Sequence, residues 1–287
     1  MKRVIVLGAA MLLASGCATL IGASFDDAGL VQYEAGPDVV HDASLKFDVT
    51  DAKPFDPTSL PYLVFWVDAH QMVDVNTSNQ VTTWHDLSGA IGRDAVDVSG
   101  YGIPTLSPTA INGQPAVHFI AAGFQVLATG FQGPGSTQFT IFVVTQGYPQ
   151  SAVRFQPGLN QVPLLIFPYD TAGSESAPNF EFYFASTSQD IGTARVTIGT
   201  TPTIAAMTFR ATGTISTYSN GTLVEQRVST ASSTSNTKLW IGGFPYPLAS
   251  IFTDGDIGEV LVYDDALSDI DRSKVEGYLS VKWSIAL

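Results

Sequence analysis

From about Leu60 onward the apolar residues fall in short runs separated by Gly, Pro, Asn and Asp. Leu63-Val64-Phe65-Trp66-Val67 is the first such run, and Phe139 to Val144 is a continuous one, as expected of a strand buried on both faces. Phe180, Phe182 and Phe184 alternate with Glu181 and Tyr183, which puts three rings on one face of a strand. Ala194 to Ile198, Ile204 to Phe209, Lys238 to Ile241 and Ile257 to Tyr263 continue the series. Thr214 to Ser219 and Thr222 to Val228 flank Asn220-Gly221, a pair that tolerates the positive φ of a type I′ hairpin turn; Asn112-Gly113 offers the same chemistry. Many short strands joined by such turns predict an antiparallel β-sandwich or barrel.

The period changes at the end of the chain. Ser268 is placed to cap a helix with Asp269 and Asp271 in its first turn. Val275, Tyr278, Leu279 and the Lys282-Trp283 pair then recur at helical spacing, so one stripe faces the sandwich. No internal repeat of 20–50 residues is present.

The first 58 residues read differently. Lys2 and Arg3 precede an apolar run, Val4 to Ala14, of the length of a signal-peptide core and short of the roughly 20 residues a spanning helix needs. Small residues then lead into Cys17, the only cysteine of the chain. Residues 26–57 hold eight acids and two lysines, broken by Pro37, Pro54 and Pro57, as in an extended, solvated spacer. The expected organisation is a signal peptide over residues 1–16, an acidic disordered tether over 17–58 and one β domain over 59–287.

Composition narrows the function. The 287 residues carry 13 Lys+Arg against 26 Asp+Glu, a formal net charge of −13. An acidic chain repels phosphate backbones, so nucleic acid is excluded as a partner. A single cysteine makes neither an internal disulfide nor a cysteine-rich metal site.

Leu13-Ala14-Ser15-Gly16-Cys17 resembles a bacterial lipobox, although Leu stands one place further from the cysteine than usual. The resemblance implies cleavage before Cys17 and a lipid on its sulfur. Ala18 after the cysteine implies an outer-membrane or cell-surface address, with a secreted or periplasmic protein as the alternative. Such an anchor is physically sufficient, since each buried CH₂ contributes about 0.8 kcal/mol.

Further motifs resemble bacterial concanavalin A-like, laminin-G-like jelly-roll domains. These are Trp66-Val67-Asp68-Ala69, Trp84-His85-Asp86-Leu87-Ser88-Gly89 and Asn112-Gly113-Gln114-Pro115-Ala116-Val117-His118-Phe119. Tyr218-Ser219-Asn220-Gly221, Gly255 to Tyr263 and Val275 to Trp283 follow in the family's order. The resemblance implies an all-β, two-sheet antiparallel jelly-roll sandwich with a short C-terminal helix. It also implies a recognition module for carbohydrate or protein, used in adhesion and reaching the membrane through its lipid alone. A glycan-cleaving enzyme of the same fold and a structural envelope protein without small ligand are the alternatives.

Asp254-Gly255-Asp256-Ile257-Gly258-Glu259 is the one stretch comparable to the three acids that related glycanases carry on one strand. A bulge would be needed to align Glu259 with the other two, and a retaining pair stands about 5–5.5 Å apart. The stretch fits the family's non-catalytic pattern better, so no catalytic residue is expected. Asp68, Asp86 and Asp94 are the acids nearest the Trp motifs; Asp68 and Asp86 read as turn caps, with Ca²⁺ as the alternative occupant of the three side chains' oxygens. His41, His70, His85 and His118 lack metal-ligand spacing. Trp66, Trp84, Trp240 and Trp283 lie inside the fold motifs and are expected in the core. Loop aromatics are the better ligand contacts, first among them Tyr148, Phe244 and Tyr246.

Overall fold

The computed structural model describes residues 54–133, 138–148, 153–156, 164–167, 179–186, 189–197, 200–228, 238–244, 251–252 and 254–287. The signal segment, Cys17 and the tether up to Lys53 therefore lie outside the described residues. In chain order the strands are β1 (Leu63–Asp68), β2 (Val73–Val75), β3 (Val81–Trp84), β4 (Ala95–Asp97), β5 (Thr105–Ile111) and β6 (Gln114–Phe119). β7 (Leu127–Gln132), β8 (Phe139–Tyr148), β9 (Val153–Gln156), β10 (Leu164–Phe167), β11 (Asn179–Ser186) and β12 (Gln189–Thr197) follow. The series ends with β13 (Thr203–Phe209), β14 (Thr214–Ser219), β15 (Thr222–Val228), β16 (Lys238–Ile241), β17 (Gly243–Phe244), β18 (Ile251–Phe252) and β19 (Asp254–Tyr263), before helix α1 (Asp269–Trp283).

Among the described residues these strands form two large antiparallel sheets. One has eight strands in the order β15-β14-β13-β8-β19-β6-β5, with β1 also paired to β19. The other has nine, in the order β12-β11-β10-β9-β16-β7-β4-β3-β2, and β17 and β18 pair separately. β1 and β6 share one side of β19: Asp68 to Leu63 run along residues 259–263, while Val117 to Phe119 run along 255–257.

The hairpin turns form where their chemistry placed them. Asn112-Gly113 has φ of 48° and 78°, and Asn220-Gly221 has 46° and 76°, the paired positive values that a type I′ turn requires. Between the sheets Phe65 of β1 stacks on Phe131 of β7, with centroids 5.6 Å apart. Trp84, Phe119, Phe142, Ile141 and Val260 are buried in the same core. Trp66, Trp84, Trp240 and Trp283 are all buried, as their place in the fold motifs predicted.

Helix α1 is capped by Ser268, whose hydroxyl accepts from the Asp271 amide. Its buried stripe comprises Arg272, Val275, Glu276, Leu279 and Trp283. Trp283 lies so close to β19 that a Cβ built on Gly258 would fall 2.4 Å from its ring. Glycine there admits the helix. The asparagine of the first hairpin also serves the helix, for Asn112 Nδ2 donates to the Trp283 and Ser284 carbonyls at 2.9 and 3.0 Å.

The domain reaches further back than composition suggested. Phe55 packs on Tyr278 at 6.2 Å, and the Tyr263 hydroxyl donates to the Pro57 carbonyl at 3.2 Å. Residues 54–58 therefore pack with the domain, held by the Phe55 ring and the Pro57 carbonyl. No helix among the described residues is long and apolar enough to cross a membrane.

Candidate functional site

The three acids of β19 meet three different environments: Asp254 is exposed, Asp256 half-buried and Glu259 buried. Its register shifts between Ile257 and Glu259, so the bulge that could align Glu259 with Asp256 is present. Alignment does not open Glu259 to substrate. Its side chain is 0 % exposed beneath α1 and is surrounded by donors. Trp66 Nε1 and the Tyr278 hydroxyl donate to Oε1 at 2.7 and 3.1 Å. Trp283 Nε1 and Lys282 Nζ donate to Oε2 at 2.7 and 2.8 Å.

Lys282 is shared. It also donates to Asp68 Oδ2 at 2.7 Å, and Gln71 Nε2 donates to the same oxygen at 2.7 Å. Asp68 Oδ1 accepts from the His70 amide at 3.0 Å, the turn-capping role expected of it. Burial pushes both carboxyls up, with opposite outcomes. At Asp68 the Lys282 charge and the hydrogen bonds from Lys282, His70 and Gln71 outweigh burial and hold the group below the usual carboxylate range. At Glu259 burial dominates, Asp68's negative charge adds to it, and Lys282 offsets only part, so the group is held up. Trp66 and Asp68, Glu259, and Tyr278, Lys282 and Trp283 come from three separate sequence motifs that meet in this one buried network.

Asp256 lies on the open side of the same strand. It pairs across the sheet with His118 on β6 and with Gln146 on β8, and His118 in turn pairs with Thr105 on β5. Four polar residues thus form a row across four neighbouring strands. Asp256 Oδ1 and His118 Nδ1 are 2.9 Å apart. The Gln146 Oε1 atom is buried and has no hydrogen-bond partner. Beside the row runs a groove of about 600 Å³, lined by Ser78, Asn79, Thr105, Ser107, His118 and Asp256 among others. His118 is 40 % exposed and Asp256 17 %, so both face the groove's open side. Neither entered the expected ligand set; a His on an apolar strand reads only as a surface position until its cross-strand partner is known.

The other acidic candidates have structural partners. Asp86 Oδ1 accepts from the Trp66 and Ser88 amides at 2.9 and 3.0 Å, and Asp94 Oδ1 accepts from the Asp86 amide at 2.9 Å. The Ser88 bond is the turn cap expected of Asp86; the Trp66 and Asp94 bonds tie its loop to β1 and to residue 94. No group of three or more His, Cys, Asp or Glu among the described residues is arranged to hold a metal ion. His85 lies between two carboxylates, with Nε2 3.0 Å from Asp74 and Nδ1 3.2 Å from Asp94. The Asp74 hydrogen bond, aided by Asp94, holds this imidazole above its ordinary value.

Of the expected ligand aromatics, Tyr246 lies outside the described residues, as do the side chains of Tyr148 and Phe244. The backbone of Tyr148 pairs with Asp254, one row beyond the Asp256–Gln146 pair, and that of Phe244 pairs with Ile251. An aromatic that the loop argument did not name, Phe124, is 56 % exposed on a left-handed backbone with φ of 52°.

Comparison with known proteins agrees with this architecture. Residues 132–271 match the family described as the concanavalin A-like lectin/glucanases superfamily. The fold is a concanavalin A-like sandwich. Domain 4 of AbnA, a GH43 extracellular arabinanase from Geobacillus stearothermophilus, solved in complex with arabinotriose, superposes with a TM-score of 0.53 at 13 % identity, covering 75 % of this chain and 97 % of that one. A mutant Trypanosoma rangeli sialidase displaying trans-sialidase activity gives 0.46 at 14 % identity, over 80 % of this chain and 34 % of the sialidase. The receptor binding domain of botulinum neurotoxin D gives 0.47 at 11 %, over 75 % and 52 %. No curated protein matches by sequence.

Proposed function

We propose that this chain is a lipid-anchored envelope protein whose concanavalin A-like domain recognises carbohydrate or protein without catalysing a reaction. The observation that carries this reading is the state of Glu259. The carboxylate that a glycanase of this fold would need is sealed from solvent and holds four donors, while Asp256, on the same strand, is held by His118 instead. The two-carboxylate route of glycoside hydrolysis places both groups against one glycosidic bond, and a Glu259 side chain that is 0 % exposed is not available for that role.

Recognition needs less: a groove and polar groups with bonding capacity left over. The His118–Asp256 row and the groove beside it supply both. Carbohydrate is the ligand class to test first, since the arabinanase domain with this fold was solved with arabinotriose. The anchor rests on Leu13-Ala14-Ser15-Gly16-Cys17 after an apolar run, and the outer-membrane or cell-surface address on Ala18. The acidic stretch up to Lys53 then spaces the domain from the lipid.

A glycan array probed with the full chain, with and without Ca²⁺, tests the ligand class. Binding that weakens on His118→Ala is the expected result; release of shortened glycan products would overturn the non-enzymatic reading. Palmitate labelling of the wild type and of Cys17→Ser tests the anchor, and label that persists in the variant would refute it.

A further inference from the structure

The Asp68–Glu259–Lys282 cluster has a geometry beyond that of an ion pair. A primary amine stands 2.7 Å from one carboxylate and 2.8 Å from a second, both carboxylates being 0 % exposed. The surroundings are aromatic: Lys282 Nζ lies 5.2 Å from the Tyr278 ring centre and 5.8 Å from that of Trp283. We propose that Lys282 and Glu259 condense to an intramolecular amide, a covalent cross-link that fastens α1 to β19.

Each part of the reaction has a residue in place. Lys282 first gives a proton to Asp68, which leaves the free amine. The amine attacks the carboxyl carbon of protonated Glu259, forming the new C–N bond. Negative charge gathers on Oε1, where Trp66 Nε1 and the Tyr278 hydroxyl already donate, as an oxyanion hole would. The C–Oε2 bond then breaks and one water leaves. The balance closes: Lys–NH₃⁺, Glu–COOH and Asp–COO⁻ become the amide, one water and Asp–COOH. No oxidant or reductant takes part.

The two carboxyls are suited to different roles. Asp68 is held below the usual carboxylate range and so is the anionic base, while burial holds Glu259 up and favours its neutral, electrophilic form. In water the condensation is unfavourable. Fixed neighbours react as if present at about 10⁵ M or more, and a site closed to solvent withholds the water that the reverse hydrolysis needs. The chain has one cysteine and so makes no internal disulfide.

The test is the denatured intact mass of the full chain, wild type against Lys282→Arg, a comparison that cancels whatever the N-terminus carries. The wild type is expected to be lighter by one water after allowing for the substitution, and its protease digest to contain a branched peptide joining Glu259 to Lys282. Asp68→Asn is expected to slow the appearance of that peptide by about a hundredfold, the size of a lost general base. A wild type with no mass deficit overturns the proposal, as does a deficit that persists in Lys282→Arg. So does a branched peptide joining Lys282 to Asp68. The wild-type mass and peptide map stand on their own if a variant fails to fold.

Discussion

Replacing Arg272 by Met isolates the electrostatics of the helix from the rest of the fold. The Arg272 and Glu276 side chains are 9 % and 2 % exposed, are paired through Nη1 and Oε2, and stand one turn apart on α1. Arg272 also lies 3.7 Å above the Tyr218 ring of β14. Methionine keeps much of the length and apolar contact but leaves Glu276 charged and unpartnered. Removing one member of a buried pair costs about 3–5 kcal/mol, far more than the net worth of the pair itself. The double variant Arg272→Met/Glu276→Met should therefore recover most of the loss, because no uncompensated charge remains. Burial already raises the Glu276 carboxyl, with Arg272 offsetting only part of that effect. A raised folded-state value means that the contribution to stability is present below the unfolded value of about 4.3 and is lost as pH rises through the folded value. Without Arg272 the value rises further, so the deficit of the single variant should be larger at pH 8 than at pH 4.5. Urea unfolding followed by tryptophan fluorescence at the two pH values reads this directly. A single variant that loses less than about 1 kcal/mol, or a double variant no more stable than the single, would refute the reasoning.

Three further outcomes are expected. Gly258→Ala places a methyl 2.4 Å from the Trp283 ring and should cost about 1–3 kcal/mol by overpacking, measured by thermal unfolding. His85 is held above its ordinary value by Asp74, so its contribution to stability is present below about pH 6.5 and fades as pH rises through the folded value. An NMR titration should place its midpoint above that of a free imidazole, and His85→Gln should flatten the stability profile there. Asn220→Ala removes the side-chain acceptor of the Ile204 amide and forces alanine to a φ of 46°, for a loss of about 1–3 kcal/mol; an unchanged denaturation midpoint would argue against a type I′ turn at this hairpin.

What the chain declares locally, it declares reliably. Hairpin turns at Asn112-Gly113 and Asn220-Gly221 depend on backbone preferences of two residues, and both formed. The cap at Ser268 and the stripe from Val275 to Trp283 depend on neighbours within a few positions, and both are present. Strands of three or four residues with mixed polarity, such as Val73–Val75 and Ala95–Asp97, carry no such pattern and went unread. Arg272 and Glu276 have the look of a solvated helix face, and only the hairpin of β14 and β15 beside them explains their burial.

The candidate sites divide along the same line. Strand pattern and order of motifs determined the β-sandwich, while the lipid on Cys17 is an expectation from the sequence alone. Only the tertiary structure decided what each acid does. Trp66 reaches Glu259 across 193 residues, and His118 reaches Asp256 across 138. Glu259 and Asp256 are three residues apart on one strand, yet a helix seals the first and a groove opens beside the second. That difference is made by the packing of α1 on one stretch of β19, and strand alternation in the sequence contains no record of what will later cover it.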